Sequence, residues 1–193
     1  LGGGVFNASD STVIINSTFS GNTAPRGGGV YNMVNSSTIM DCSFVENMAG
    51  DLGGGIFIVG GSPKVTSSTF SENTASDSGG GMYNSASDPI VTNCTFSGNM
   101  ASDIGSGMYI SEGGGMYNSA SDPIVTNCTF SGNMASFRGG GMFNSSSLSS
   151  PMLTNCTFSG NMAFYGGGMY NSSSSPAVTN CIFWDNGNEI SGG

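Results

Sequence analysis

"GGGMYNSASDPIVTNCTFSGNMAS" occupies residues 79–102, and the same 24 letters return unchanged at 113–136. Two identical stretches must satisfy identical physical surroundings, so the internal period is the first quantity to read. Gly triplets open at residues 2, 27, 53, 79, 113, 139 and 166, with spacings of 25, 26, 26, 34, 26 and 27. Each unit keeps one order: triplet, aliphatic–aromatic pair, a Ser/Asn/Asp-rich stretch, a β-type run such as "PIVTNCTF", then Asn three residues after Phe.

Two short β patterns separated by turn residues leave no room for a helix of about 10–12 residues. A leucine-rich repeat would need a Leu framework that is missing here, and a propeller blade about 40 residues. The period instead fits a unit of three short strands. The chain is therefore predicted to be all-β: a single right-handed parallel β-helix (solenoid) of about seven coils of about 26 residues, spanning 1–193 as one domain. Coils stacked at the strand spacing of about 4.8 Å give a rod on the order of 30 Å long. The 34-residue spacing carries eight extra residues. "GSGMYISE" at 105–112 imitates a coil start, and because Ile110 replaces the usual Asn, this stretch is expected to leave the stack as a loop.

In a solenoid every residue sits above its equivalent, so recurring letters become columns. Ile14, Ile39, Val65, Val91, Val125, Leu153 and Val178 form one inward column. Phe19, Phe44, Phe70, Phe96, Phe130, Phe158 and Phe183 form a second. Asn22, Asn47, Asn73, Asn99, Asn133, Asn161 and Asn186 are predicted to build a hydrogen-bonded ladder, since Asn tolerates left-handed backbone and its amide can bond above and below. The aliphatic residue after each triplet (Val5 to Met169) precedes Phe6, Tyr31, Phe57, Tyr83, Tyr117, Phe143 and Tyr170. Alternation places one of these two columns outside. The Asn that follows in six coils would continue the aliphatic face as a second inward ladder, so the aromatics are predicted to form an exposed ridge, a sign of a partner.

Twelve acidic residues against Arg26, Lys64 and Arg138 give a net charge of −9, which repels nucleic acid and anionic lipid. No apolar run approaches the roughly 18 residues of a membrane span. The chain opens at Leu1 in mid-motif and reads as a mature product or an excised piece.

Without His there is no ordinary catalytic triad, and the basic residues are too dispersed to join clustered carboxylates on one face; no enzyme is expected. Cys42, Cys94, Cys128, Cys156 and Cys181 share one column and read as small buried residues, with disulfides between adjacent coils as the alternative. Neither His nor a CxxC pattern supports a thiolate metal site. Asp51, Asp77 and Asp103 recur near unit ends, where Ca²⁺ would relieve like-charge stacking; solvated carboxylates are the plainer reading, so no cofactor is expected. Asn93, Asn127 and Asn155 head N-x-[ST] triplets but are read as structural residues within strands.

Two Thr columns, Thr66, Thr92, Thr126, Thr154 and Thr69, Thr95, Thr129, Thr157, would face outward. Regular Thr arrays suit ice or polysaccharide binding, but these two straddle a bend and read more simply as β propensity.

The glycine-rich "GGGM", "GGGV" and "GGGI" starts followed by F-x-x-N ("FSGN", "FVEN", "FSEN", "FWDN") resemble the repeats of chlamydial polymorphic outer-membrane proteins and related pectate-lyase-like β-helix proteins. The F-x-x-N half matches in every unit, while Gly stands where that family commonly has Ala. The resemblance implies a surface-exposed, adhesin-like β-helix and supplies no catalytic residues. The resulting expectation is a non-enzymatic extracellular or cell-surface scaffold. Its partners would be a glycan or cell surface, or further copies stacked end to end, because both termini lie inside the repeat.

Overall fold

The computed structural model describes residues 1–103, 110–146 and 149–192. The described residues form a parallel β-solenoid with no helix, and its seven coils begin at the Gly triplets. Every pairing between strands is parallel and joins one coil to the next. An eight-stranded sheet runs from Val5–Asn7 to Ile190–Gly192, and a seven-stranded sheet from Val13–Ile15 to Ala177–Thr179. A third, also seven-stranded, runs from Thr18–Ser20 to Ile182–Trp184.

Each coil was expected to carry three strands, but five coils add a fourth, from Thr23–Arg26 to Met134–Ala135. It is only two residues long at Thr74–Ala75, Met100–Ala101 and Met134–Ala135. The ladder Asn just before it pins the chain, so the next residues are already in parallel register.

The two copies stack directly on each other: Met82↔Met116, Val91↔Val125 and Phe96↔Phe130 are register partners. Residues 105–109 of the expected loop lie outside the described residues. The remainder corrects its boundary. Ser111 and Glu112 belong to the coil, with Glu112 bridging Ser78 below and Arg138 above, while Ile110 is exposed. The triplet 113–115 therefore starts the coil, as expected from the missing Asn.

Inside, the Phe column stacks with ring centroids 4.6–4.9 Å apart and planes within 8°. The aliphatic column from Ile39 to Leu153 and the column from Val30 to Met169 are fully buried beside it. The triplets are glycine for a steric reason. Gly79 has φ +72°, and a Cβ on Gly80 would lie 2.5 Å from the Met100 oxygen and 2.6 Å from the Gly114 oxygen.

The predicted ladder is present. Asn99 Nδ2 donates to Asn133 Oδ1 and to the Phe70 carbonyl, both at 2.9 Å. Asn99 Oδ1 accepts both the Asn73 amide and Asn73 Nδ2. The same set recurs from Asn47 to Asn161, and Asn22 and Asn186 join it at the ends. One detail differs from expectation. The left-handed residue is the one before the ladder Asn (Glu46, Glu72, Gly98, Gly132, Gly160, Asp185), which turns the chain so that the Asn side chain points inward.

A second inward ladder joins Asn84, Asn118, Asn144 and Asn171 at 2.8–2.9 Å, and Asn7 to Asn32 at 2.7 Å. Ile58 interrupts it in the third coil, which leaves Asn84 Oδ1 buried without a donor.

Candidate functional site

The aromatic column does point away from the core, but most of it is not an exposed ridge. Phe6 is 47% exposed, whereas Tyr31, Phe57 and Phe143 are only 8%, 3% and 2% exposed. Tyr83, Tyr117 and Tyr170 are half-buried. The cause is a neighbouring column formed by the residue just before each triplet: Arg26, Leu52, Ser78, Glu112, Arg138, Tyr165, paired coil to coil. Its long members lean over the rings, with the Arg26 guanidinium 5.8 Å from the Phe57 centroid and that of Arg138 5.1 Å from Tyr170. The rings also cover one another. Tyr83 and Tyr117 stack at 4.6 Å and 6°, so they offer edges, not faces, to solvent.

In the fourth coil that neighbouring slot holds Ser78, too short to reach across. An open cleft of about 590 Å³ lies there, and Tyr83, Tyr117, Asp51, Asp77, Ser78, Asp103, Ser111 and Glu112 are among the residues that line it. That is within the range of sites that take small ligands. The Asp51 carboxylate accepts from Arg26 Nε at 2.7 Å, and Glu112 from Arg138 at 3.1 Å. Asp77 accepts from the Ser78 hydroxyl at 3.2 Å. Partial desolvation pushes the Asp77 carboxyl above its ordinary range, the Ser78 bond opposes this, and the like charges of Asp51 and Asp103 add to it. Burial pushes Glu112 up as well, against the pull of Arg138. Burial raises the Tyr83 and Tyr117 phenols, whose hydroxyls interact with Ser119 and Ser145. Ser111 is fully buried, and its hydroxyl has no hydrogen-bond partner.

The cleft brings together the three Asp residues proposed for Ca²⁺. Among the described residues no cluster of three or more His, Cys, Asp or Glu is arranged to hold a metal ion. Sequence reasoning missed the cleft because Ser78 is unremarkable by itself. The available signal was the slot before each triplet, whose residue type differs from each coil to the next.

The Thr columns are continuous in register but lie on two sheets: Thr66, Thr92, Thr126 and Thr154 on the second, Thr69, Thr95, Thr129 and Thr157 on the third. A left-handed residue (Ser67, Asn93, Asn127, Asn155) turns the chain between them, and all but Thr69 are half-buried. No single flat Thr face is built. Asn93, Asn127 and Asn155 are therefore exposed bend residues rather than strand residues, a correction to the sequence reading, and link outward at 3.2 Å. The five cysteines are free; Cys42, Cys94, Cys128 and Cys156 are buried, and each thiol donates to the carbonyl two residues before it.

A family model described as "Right handed beta helix region" matches residues 3–183. The chain belongs to the right-handed β-helix family. That family includes pectate-lyase-like enzymes and non-enzymes alike, so membership fixes the fold and leaves the reaction open. A search of curated proteins finds no match. No helix among the described residues is long and apolar enough to cross a membrane.

Proposed function

We propose that this β-helix is a non-enzymatic, adhesin-like scaffold of the cell surface or extracellular space that engages a glycan in the cleft above Tyr83 and Tyr117. The observation that supports this reading is the polar cleft of about 590 Å³ beside Ser78, Tyr83 and Tyr117, on a face where Tyr31, Phe57 and Phe143 are covered. Carboxylates and hydroxyls on its walls are the groups that hydrogen-bond sugar hydroxyls. The resemblance to chlamydial surface repeats supports the location. The test is a glycan array probed with this chain, followed by chromatography of the bound glycans. Retention with intact glycans is the expected result. Cleaved products would overturn the non-enzymatic assignment, and no retention at all would overturn the adhesin reading.

A further inference from the structure

Four successive coils carry a cysteine at the same place: Cys94, Cys128, Cys156 and Cys181. Their flanks are in register, with Thr92↔Thr126 and Thr95↔Thr129 as partners on either side, and the next two coils continue the pattern. All four thiols also point the same way, each donating to the carbonyl two residues earlier at 3.2–3.4 Å. Like orientation in register makes the sulfurs repeat at the pitch of the rod. That pitch is 4.6–4.7 Å, the spacing of the Phe rings two residues along.

The pitch discriminates between the two things that neighbouring thiols can do. A disulfide needs Cβ atoms about 3.5–4.5 Å apart on side chains that converge, whereas these run parallel at a longer spacing. A soft cation held linearly between two thiolates needs twice a metal–sulfur bond of roughly 2.3 Å, or about 4.6 Å. Two donors are enough for that geometry. The backbone helps to bury the resulting negative charge: the Cys94 amide donates to the Cys128 sulfur at 3.4 Å, and the Cys156 amide to the Cys181 sulfur at 3.3 Å. The paired residues stand 34 and 25 positions apart, so no local motif announces them. Access is short, since each cysteine directly follows an exposed bend residue, Asn93, Asn127, Asn155 or Asn180. Cys42 supplies an internal control. Its column neighbours are Ser17 and Ser68, and the Ser68 hydroxyl accepts the Cys42 amide at 3.1 Å while donating to the Thr66 carbonyl at 2.9 Å. Serine fits the slot and lacks only the sulfur.

We propose that the cysteine column binds soft monovalent cations of the copper(I) class, one bridging Cys94 and Cys128 and a second bridging Cys156 and Cys181. Each ion forms two metal–sulfur bonds and displaces the two thiol protons to solvent; no electron is transferred. The site is independent of whatever the cleft holds.

The experiment titrates the reduced full chain with copper(I) under argon, in competition with a chromophoric copper(I) chelator, and probes the bound metal by X-ray absorption. Two ions per chain are expected, each with two sulfur ligands, together with a rise in the melting midpoint. Cys128→Ser and Cys156→Ser are each expected to retain one ion, and Cys42→Ser both; Ser17 and Ser68 show that the column accepts serine. Zinc, which asks for four tetrahedral ligands, is expected not to bind. Retention of both ions by Cys128→Ser would place them elsewhere, for instance on the exposed Met134 and Met162 thioethers, and overturn the site. Zinc binding as tightly as copper(I), or nitrogen or oxygen ligands on the copper, would overturn the linear bridge. No copper bound by a chain whose melting curve is intact would overturn the proposal outright.

Discussion

The inner and outer columns of this rod obey opposite rules. In the interior, Phe follows Phe and Asn follows Asn through all seven coils, each ring within 4.9 Å of the next. Outside, the slot before the triplet runs Arg26, Leu52, Ser78, Glu112, Arg138, Tyr165. Stacking explains the contrast. A buried residue must match the residue above and below in volume and hydrogen bonding, whereas an outward side chain can be replaced coil by coil at little cost to the stack. The outer column is therefore where a repeat of near-identical units acquires one distinct place.

The sharpest way to break this comparison is to cut the interior. Phe96→Ala removes a fully buried ring between Phe70 and Phe130 and is expected to cost about 3–5 kcal/mol in denaturant unfolding. Asn99→Ala removes the acceptor of the Asn73 backbone amide and of one Asn73 Nδ2 hydrogen, together with the side-chain donor to the Phe70 carbonyl and Asn133 Oδ1, and is expected to cost about 3 kcal/mol. A cost near zero for either would mean that the column does not carry the coil. The gap in the second ladder sharpens the same point. Ile58→Asn would give Asn84 Oδ1 its missing donor, so it should cost less than about 1 kcal/mol, against more than about 3 for Val65→Asn, which has no polar neighbour in its column.

On the outer side, Ser78 is itself only 5% exposed, so Ser78→Arg is expected to close the cleft at a cost of about 1–3 kcal/mol, less than either cut in the interior. The smallest effect is electrostatic. The Asp77 carboxyl is raised in the folded state, so its ionised form opposes folding above that pKa, and the opposition disappears as pH falls through it. Asp77→Asn should therefore raise the melting midpoint slightly at neutral pH, with the gain fading in acid. A gain that grows on acidification would contradict the assigned direction.

The period of the Gly triplets, the Phe column and F-x-x-N were enough to predict the parallel coils, their register and the ladder. Each such residue repeats because its neighbour along the rod axis is its own copy, so a local pattern encodes a long-range contact. The inward face of the aliphatic–aromatic pair was legible for the same reason. The exposure of the aromatic column was not, because it depends on residues from a different strand, Arg26 and Arg138, folding back over the rings. Nor was the cleft, since an absent side chain at Ser78 has meaning only once its neighbours in the column are known. The sequence by itself determined the repeat, the stacking partners and the identity of the core. Only the tertiary structure decided which outward residues meet solvent, because side-chain length and tilt act between columns that the repeat does not relate.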